Sequence, residues 1–311
     1  MTGRSIIGIG ETVLDIVLKE GKALAAVPGG SVFNSMVSLG RTAGKDFPDV
    51  PLVMVTQAGD DQVADLVTAF MEENHLDTRG VIHAACQSNI SIAMLDAENN
   101  ASYEFYRDAK APLFQALEMT YGPGDILLFG STFAVGADTR EQVRRMLRPA
   151  REAGAMVYYD INFRKSRSED KETIRREVEA NIALSDIVRG SAEDIEGLYG
   201  TDDAEAVYRT HIAPHCPVFI CTRGADATEV FSPRARASFP VQRVETVITT
   251  IGAGDNFNAG ILYGLLRDGI FRDKARDLGP EDWPALVQTA LRFSAEVCRS
   301  LFNYVSPDFQ A

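Results

Sequence analysis

The stretch Thr249-Thr250-Ile251-Gly252-Ala253-Gly254-Asp255-Asn256-Phe257-Asn258-Ala259-Gly260 decides how the rest of the chain is read. Phe257, Ile261, Leu262, Leu265 and Leu266 keep a helical period, which predicts a helix over about residues 254–267. Two glycines at its entrance leave the backbone amides unobstructed, and those amides together with the helix dipole form an anion site. Asp255 stands at the mouth of that site. A carboxylate there is unhelpful for holding phosphate but suited to taking a proton from a nucleophile beside it. Read alone, the same residues also fit a tight turn with Asp255 as a helix N-cap, because short motifs often match by chance.

Working outward, strands alternate with helices on both sides of this stretch. Apolar runs at Ile6–Ile9, Leu52–Val55, Ile126–Phe129, Met156–Tyr159, Ile187-Val188 and Val218–Cys221 predict buried strands. Helices are expected over Asp61–Glu73 (Val63, Leu66, Val67 and Phe70 on one face), Thr139–Glu152, Glu172–Leu184, from Ala192, and over Pro284–Phe302. Ser31 is placed as the cap of a helix carrying Phe33, Met36, Val37 and Leu39 and ending at Gly40. The alternation implies an α/β fold, a mostly parallel sheet with helices on both faces, whose ligands lie beyond the carboxyl ends of the strands. Asn89–Leu95 and Ser102–Tyr106 interrupt it as a β-hairpin, and Leu14–Leu18 extends or follows the first strand. We therefore expect one domain over residues 1–311, with a small β-sheet lid formed by insertions around 12–28 and 87–108. Ala227–Phe231 and Ala237–Pro240 predict a terminal antiparallel hairpin.

The chain has 311 residues, 45% hydrophobic and 24% charged, enough apolar material for a core without disulfide or metal staples. The net charge of −13 argues against nucleic acid or an anionic membrane as a partner. Four scattered cysteines do not make a disulfide framework, and Glu11 and Asp15 interrupt any signal-peptide core, so a cytoplasmic protein is expected. His211, His215, Cys216 and Cys221 match no standard zinc spacing. Gly8-Ile9-Gly10 lacks the third glycine and the helix of a dinucleotide fingerprint, and no P-loop pattern occurs.

A second motif, Pro28-Gly29-Gly30-Ser31-Val32-Phe33-Asn34, lies more than 200 residues before the first, and its Pro28-Gly29-Gly30 start is expected to break the chain ahead of the helix. Its glycine pair admits a ligand close to the backbone, and Asn34 could bond a polyol through both its oxygen and its nitrogen, although a loop with a satisfied Asn reads equally well from this segment alone. Taken together, Gly252-Ala253-Gly254-Asp255 with Phe257-Asn258-Ala259-Gly260, and Gly29-Gly30 with Asn34 and Gly40, resemble the C-terminal and N-terminal signatures of the ribokinase-like (PfkB) carbohydrate kinases. Between them, Gly10-Glu11 with Asp15, Gly59-Asp60-Asp61, Asp160-Ile161-Asn162-Phe163-Arg164, the segment Ser185–Asp194 and Thr222-Arg223-Gly224 resemble further family segments, so the similarity spans roughly residues 5 to 300. Gly10-Glu11, the lid run Tyr103-Glu104-Phe105-Tyr106-Arg107 and Ser191-Ala192-Glu193-Asp194 are similar to fructokinase-like members, and 2-keto-3-deoxygluconate kinase-like members share the lid Tyr-Arg.

The resemblance implies an ATP-dependent kinase of a sugar hydroxyl, with Asp255 as general base and the backbone of Gly252, Ala253 and Gly254 stabilising the charge that develops on the transferred group. It implies a sugar held by Asp15, Gly29, Gly30, Asn34, Tyr106 and Arg107, and a nucleotide held by Arg164, Ser191, Thr222, Gly224, Gly252 and Gly254. Mg2+ would be held by Asp194 through water. In some members K+ is bound near the Asp-Thr pair that precedes x-Gly-Ala-Gly-Asp, and in this chain the Asp position is Thr249. The alternatives are a 2-keto-3-deoxygluconate or nucleoside kinase of the same fold, or a sugar-binding homologue without turnover. A homodimer through the lid is a further expectation, since a β lid with apolar faces can pair between subunits.

Overall fold

The computed structural model describes residues 4–96, 101–163 and 170–311. In chain order the strands are β1 (Ile6–Ile9), β2 (Val13–Lys19), β3 (Lys22–Gly29), β4 (Leu52–Ala58), β5 (Val81–His83), β6 (Ile90–Leu95) and β7 (Ala101–Tyr106), then β8 (Ile126–Gly130), β9 (Met156–Asp160), β10 (Ile187–Ser191), β11 (Val218–Thr222), β12 (Ala227–Phe231) and β13 (Arg236–Pro240). The α-helices are α1 (Ser31–Asp46), α2 (Gln62–Glu73), α3 (Ser131–Val135), α4 (Arg140–Glu152), α5 (Lys171–Ile182), α6 (Ala192–Tyr199), α7 (Ala204–Val207), α8 (Ala253–Arg267), α9 (Arg272–Ala275) and α10 (Trp283–Val297).

The main sheet has the order β13-β12-β11-β10-β9-β8-β1-β4-β5. It is parallel except at the β11-β12-β13 hairpin end. Runs such as Ile126–Gly130 and Met156–Asp160 are buried at every position, as strands covered on both faces must be. One core layer packs Phe33 and Met36 of α1 with Phe257 and Leu262 of α8 and Trp283 and Phe293 of α10. The opposite layer packs Val143 and Leu147 of α4, Val178 of α5 and Ile195 of α6 on Ile7, Leu127 and Val157. The parallel register sets Gly130 beside Asp160, Asp160 beside Arg189, and Ser191 beside Thr222. Polar side chains from three strand ends therefore meet at one edge of an otherwise apolar sheet.

The second, smaller sheet, β3-β2-β6-β7, is built from the segments expected to form a lid, with β2 and β6 parallel and the outer pairs antiparallel. Leu24, Met94, Phe105 and Tyr106 are exposed on it. The hairpin and the α/β alternation agree with the sequence reading, whereas several boundaries do not. Pro28-Gly29, read as a break, ends strand β3, and β3 lies at a sheet edge, where Pro removes no ladder bond. Helix α1 does not stop at Gly40 but runs to Asp46. Gly40 serves close packing instead, since a β-carbon there would lie 1.8 Å from the Asn74 carbonyl oxygen. On α2 the buried stripe is Ala64, Val67 and Met71, which leaves the expected core residue Leu66 exposed. Helix α10 ends at Val297 rather than Phe302, because the chain turns back to bring the Asn303 carbonyl within 2.8 Å of the Asn256 amide nitrogen.

Helices α8 and α10 cross where a β-carbon on Gly260 would meet the Ala290 Cα at 2.4 Å. Gly260→Ala should therefore lower the unfolding free energy by about 1–3 kcal/mol in a urea titration, the usual range for overpacking. An unchanged midpoint would mean that the two helices can separate at no cost.

Candidate active site

Asp255 is the third residue of α8, not its N-cap, a position held by Gly252 in the left-handed conformation at φ 77°. The tight-turn reading is thus half right: Gly252 makes the turn, and the carboxylate is left for other partners. Its Oδ1 accepts from Ser31 Oγ at 2.8 Å and its Oδ2 from Asn34 Nδ2 at 2.9 Å, both on the first turn of α1. Asn162 Nδ2 donates to the same Ser31 hydroxyl at 2.7 Å. Asn162 sits at φ 37°, a backbone state that costs a non-glycine residue about 1–3 kcal/mol and clusters at functional sites. Neither Gly30, the N-cap of α1, nor Gly252 makes a side-chain cap bond. The first-turn amides of two helices therefore face one junction without the cap that would satisfy them. Asn34 Oδ1 is buried with no hydrogen-bond partner among the described residues.

Behind the turn lies a polar chain of which sequence reading assigned only Thr222, to the nucleotide. Tyr158 Oη donates to Asn258 Oδ1 at 3.0 Å, and Asn258 Nδ2 donates to Asp160 Oδ2 at 2.7 Å. Arg189 Nη1 reaches Asp160 Oδ1 at 3.1 Å, and Nη2 reaches Thr222 Oγ1 at 2.6 Å. The available signal was a charged residue inside the apolar run Ile187-Val188-Arg189-Gly190, which a buried strand rarely carries unless it is paired. Arg164 lies outside the described residues.

The lid contributes Asp15, 6% exposed, whose Oδ1 accepts from Ser91 Oγ. Gly29 leaves room for that carboxylate, and Gly30 for the Glu11 carbonyl. Burial pushes Asp15 up to about 6; the Ser91 hydrogen bond opposes this shift and the Glu11 carboxylate adds to it. A narrow cavity of about 30 Å³ lies between Asp15, Tyr103, Thr249, Ile251, Leu301 and Asn303. That volume admits water rather than a sugar. Arg107 pairs with Glu11 at 2.8 Å, Thr132 Oγ1 donates to the other Glu11 oxygen at 3.3 Å, and Tyr106 turns its hydroxyl to Glu104 at 3.1 Å. Tyr103, not Tyr106, lines the cavity.

Asp194 and Ser191 form a capping box at the start of α6. Asp194 Oδ2 accepts from Ser191 N and Oδ1 from Phe163 N, each at 2.7 Å. Burial raises its pKa, an effect opposed by the Arg189 charge. Such a carboxylate fits a metal only through water, and no group of three or more His, Cys, Asp or Glu side chains placed to hold a metal directly occurs among the described residues. Gly224 sits in an open turn at φ 56°. Beside it a cleft of about 350 Å³ is lined by Asp202, Asp203, Glu205, Arg223 and Glu229. Arg223 is spent on Asp202 and Glu229, so this acidic cleft is unsuited to phosphates. Thr249 turns its hydroxyl to Ile251 N at 3.2 Å.

Phosphoryl transfer to an alcohol needs donors for the migrating group and an acceptor for the alcohol proton, and one turn of α8 supplies both. The fold and site thus define an α/β phosphotransferase acting on a small molecule under a lid. Residues 4–301 match the pfkB family of carbohydrate kinases, and the chain belongs to that family. It is a sugar kinase that transfers phosphate to a hydroxyl group. It is 26% identical over 287 residues to a protein named fructokinase-1 from Oryza sativa subsp. japonica, covering 86% of this chain and 85% of that one. Its fold is similar to that of a Xylella fastidiosa fructokinase with bound ATP (TM-score 0.81, 24% identity, 95% and 92% of the two chains). It is similar also to that of a Salmonella enterica aminoimidazole riboside kinase complexed with aminoimidazole riboside and an ATP analogue (TM-score 0.80, 21% identity, 98% and 97%). Among the described residues no helix is long and apolar enough to cross a membrane.

The Asp15 shift has a measurable sign. The folded value of about 6 lies above the model-peptide 3.8, so the native state binds the extra proton between them. Stability linked to Asp15 is complete below pH 3.8 and is lost as pH rises through 6, by roughly 3 kcal/mol at most. Asp15→Asn should remove that slope, so the variant should gain on the wild type in urea midpoint between pH 5 and pH 8. A constant difference between the two proteins would place the Asp15 carboxylate in contact with water.

Proposed function

We propose that this protein is an ATP-dependent kinase of a neutral, fructose-like ketohexose. The observation that carries the reading is the Asp255 carboxylate, held by Ser31 and Asn34 one turn inside the amide-lined start of α8. In this reading Asp255 is the general base, taking the proton of a primary hydroxyl as it attacks the terminal phosphorus. The amides of Gly252, Ala253 and Gly254 stabilise the charge that accumulates on the equatorial oxygens, and Arg164, Ser191, Thr222 and Gly224 contribute to the nucleotide side. Asn34 Oδ1, buried and unpartnered among the described residues, is an acceptor for a sugar hydroxyl. Asp15, Gly29 and Gly30 complete the sugar side, with Tyr106 and Arg107 on the lid. Asp194 would hold Mg2+ through water, and the metal would supply charge neutralisation on the phosphates. Lid closure excludes water and suppresses wasteful hydrolysis of ATP.

Two charges support a neutral sugar over a keto-acid sugar. Arg107 is already paired with Glu11, and Asp15 adds a buried carboxylate to the same pocket. An anionic substrate would meet no surplus of positive charge there.

Asp255→Asn should lower kcat by about 10²-fold or more, the scale of general-base removal, with sugar and nucleotide still bound. Full turnover in that variant would remove Asp255 from the chemistry. In a coupled phosphorylation assay across ketohexoses, aldopentoses, 2-keto-3-deoxygluconate and nucleosides, fructose should give a kcat/KM about tenfold or more above the acid sugar and the nucleosides, the scale set by unpaired polar groups in a mismatched site. A nucleoside or acid-sugar preference would overturn the substrate assignment while leaving the kinase reading intact.

A further inference from the structure

Arg189 is the cation that the mechanism leaves unused. It is 6% exposed at the carboxyl end of β10, between Asp160 of β9 and Thr222 of β11. A β-carbon on Gly254 would lie 2.9 Å from both Nη1 and Nη2, so the guanidinium rests directly against the backbone of the turn. Gly254 is glycine for that reason, in addition to any ligand contact. Asp160, Asp194 and Asp255 bring three carboxylates to this edge, where an incoming phosphate would add more negative charge. Arg189 stays charged there, because the Asp160 and Asp194 carboxylates outweigh its burial. Its Nε is buried with no partner among the described residues, so the side chain is not fully spent on its neighbours.

Resting on the kinase reading above, we propose that Arg189 is a positioning residue for the terminal phosphate of the nucleotide. Its guanidinium backs residues 252–255, fixes the turn through the Gly254 backbone, and biases the amide cradle toward the more highly charged ligand. A charge placed beneath a cradle acts most on the group that carries the most charge, so ATP should benefit more than ADP. The side chain touches no reacting atom in this scheme.

The test is calorimetric binding of ADP and of a non-hydrolysable ATP analogue, each with Mg2+, alongside steady-state kinetics. In Arg189→Gln the preference for the analogue over ADP should shrink about tenfold, and kcat should fall by a similar factor, below the 10²–10³ lost with a direct oxyanion donor, while KM for sugar stays within about threefold. Arg189→Lys should recover part of both losses, since it keeps the charge but not the fork. Arg189→Gln alone leaves Asp160 buried and unpaired, so the double variant Arg189→Gln/Asp160→Asn, which removes both charges, is measured beside it. The double variant should fold and show the same reduced preference. An analogue-to-ADP ratio equal to wild type in the double variant, or Lys no better than Gln, would overturn the proposal and leave Arg189 as a structural pair. A loosened fold weakens both nucleotides alike, which also counts against it. Wild-type protein that binds neither nucleotide would overturn the kinase reading together with this one, whereas wild-type binding with an unmoved ratio overturns this one alone.

Discussion

The junction of two helix N-termini at one carboxylate is the constraint on which the rest of the molecule depends. Helices α1 and α8 start with glycine N-caps and no side-chain cap, so each presents unsatisfied amides to the same small volume. The Asp255 carboxylate joins them by accepting from Ser31 and Asn34. The joint continues along a polar stripe of α1, where Ser35 Oγ donates to the Asp255 carbonyl at 2.7 Å and Ser38 Oγ to the Asn256 side chain. Ser31, Asn34, Ser35 and Ser38 recur at helical spacing, a pattern that normally carries the apolar face. Here each residue of the stripe bonds α8, with Asn34 Oδ1 left over, and the apolar contacts of Phe33 and Met36 lie beside it. The two motifs, distant in sequence, are therefore one structural unit: neither helix start is complete without the other.

A lid follows from this arrangement because the junction is open on the sheet-edge side. The lid strands bring Asp15 over it, and the pairing of β2 with β6 fixes Asp15 beside Ser91. Its attachment to the main sheet is soft. The Arg107–Glu11 pair has an arginine 47% exposed and lies at the rim, where such pairs contribute at most about 1 kcal/mol. A contact of that strength holds the small sheet in place without preventing it from moving.

The parallel sheet, the lid hairpin and the α8 turn were legible because each rests on a local signal: an unbroken apolar run, a turn-rich connection, a glycine pair before a helical period. The errors were of one kind. Gly40, Pro28-Gly29 and the end of α10 were read as punctuation, and at each place a distant contact overrides the local preference: Asn74 at Gly40, the sheet edge at Pro28, Asn256 at Asn303. The site was legible where a motif is contiguous, as with Gly252 to Asp255, and also where two motifs could be joined through a shared resemblance. It was not legible where partners converge from separate strand ends. Asp160, Arg189 and Thr222 are neighbours only through the parallel register, and Asn258 reaches Asp160 across 98 residues. Tyr103 and Tyr106 could be assigned to opposite faces by alternation, but which face meets the cavity depends on how the lid sits, and that is a tertiary fact.

Comparing three paired arginines separates those that hold the fold from the one beneath the turn. Arg144 bonds the Glu177 carboxylate, the Glu177 carbonyl and Asn181, tying α4 to α5. Arg272 bonds Asp186 and the Arg151 carbonyl, tying α9 to the amino end of β10 and to the end of α4. In each, the guanidinium also takes a backbone carbonyl from an element it anchors, as expected of a side chain whose task is to join segments. Arg189 takes no backbone carbonyl in its hydrogen bonds to Asp160 and Thr222; it joins strands that already pair along their lengths, and it faces a turn that needs positive charge more than it needs a tie. A buried ion pair adds little to stability over an apolar replacement, because desolvation offsets the attraction. Mid-sheet cohesion therefore does not explain an arginine there, while its place against Gly254, at the edge where the sheet presents its ligands, gives the charge a use.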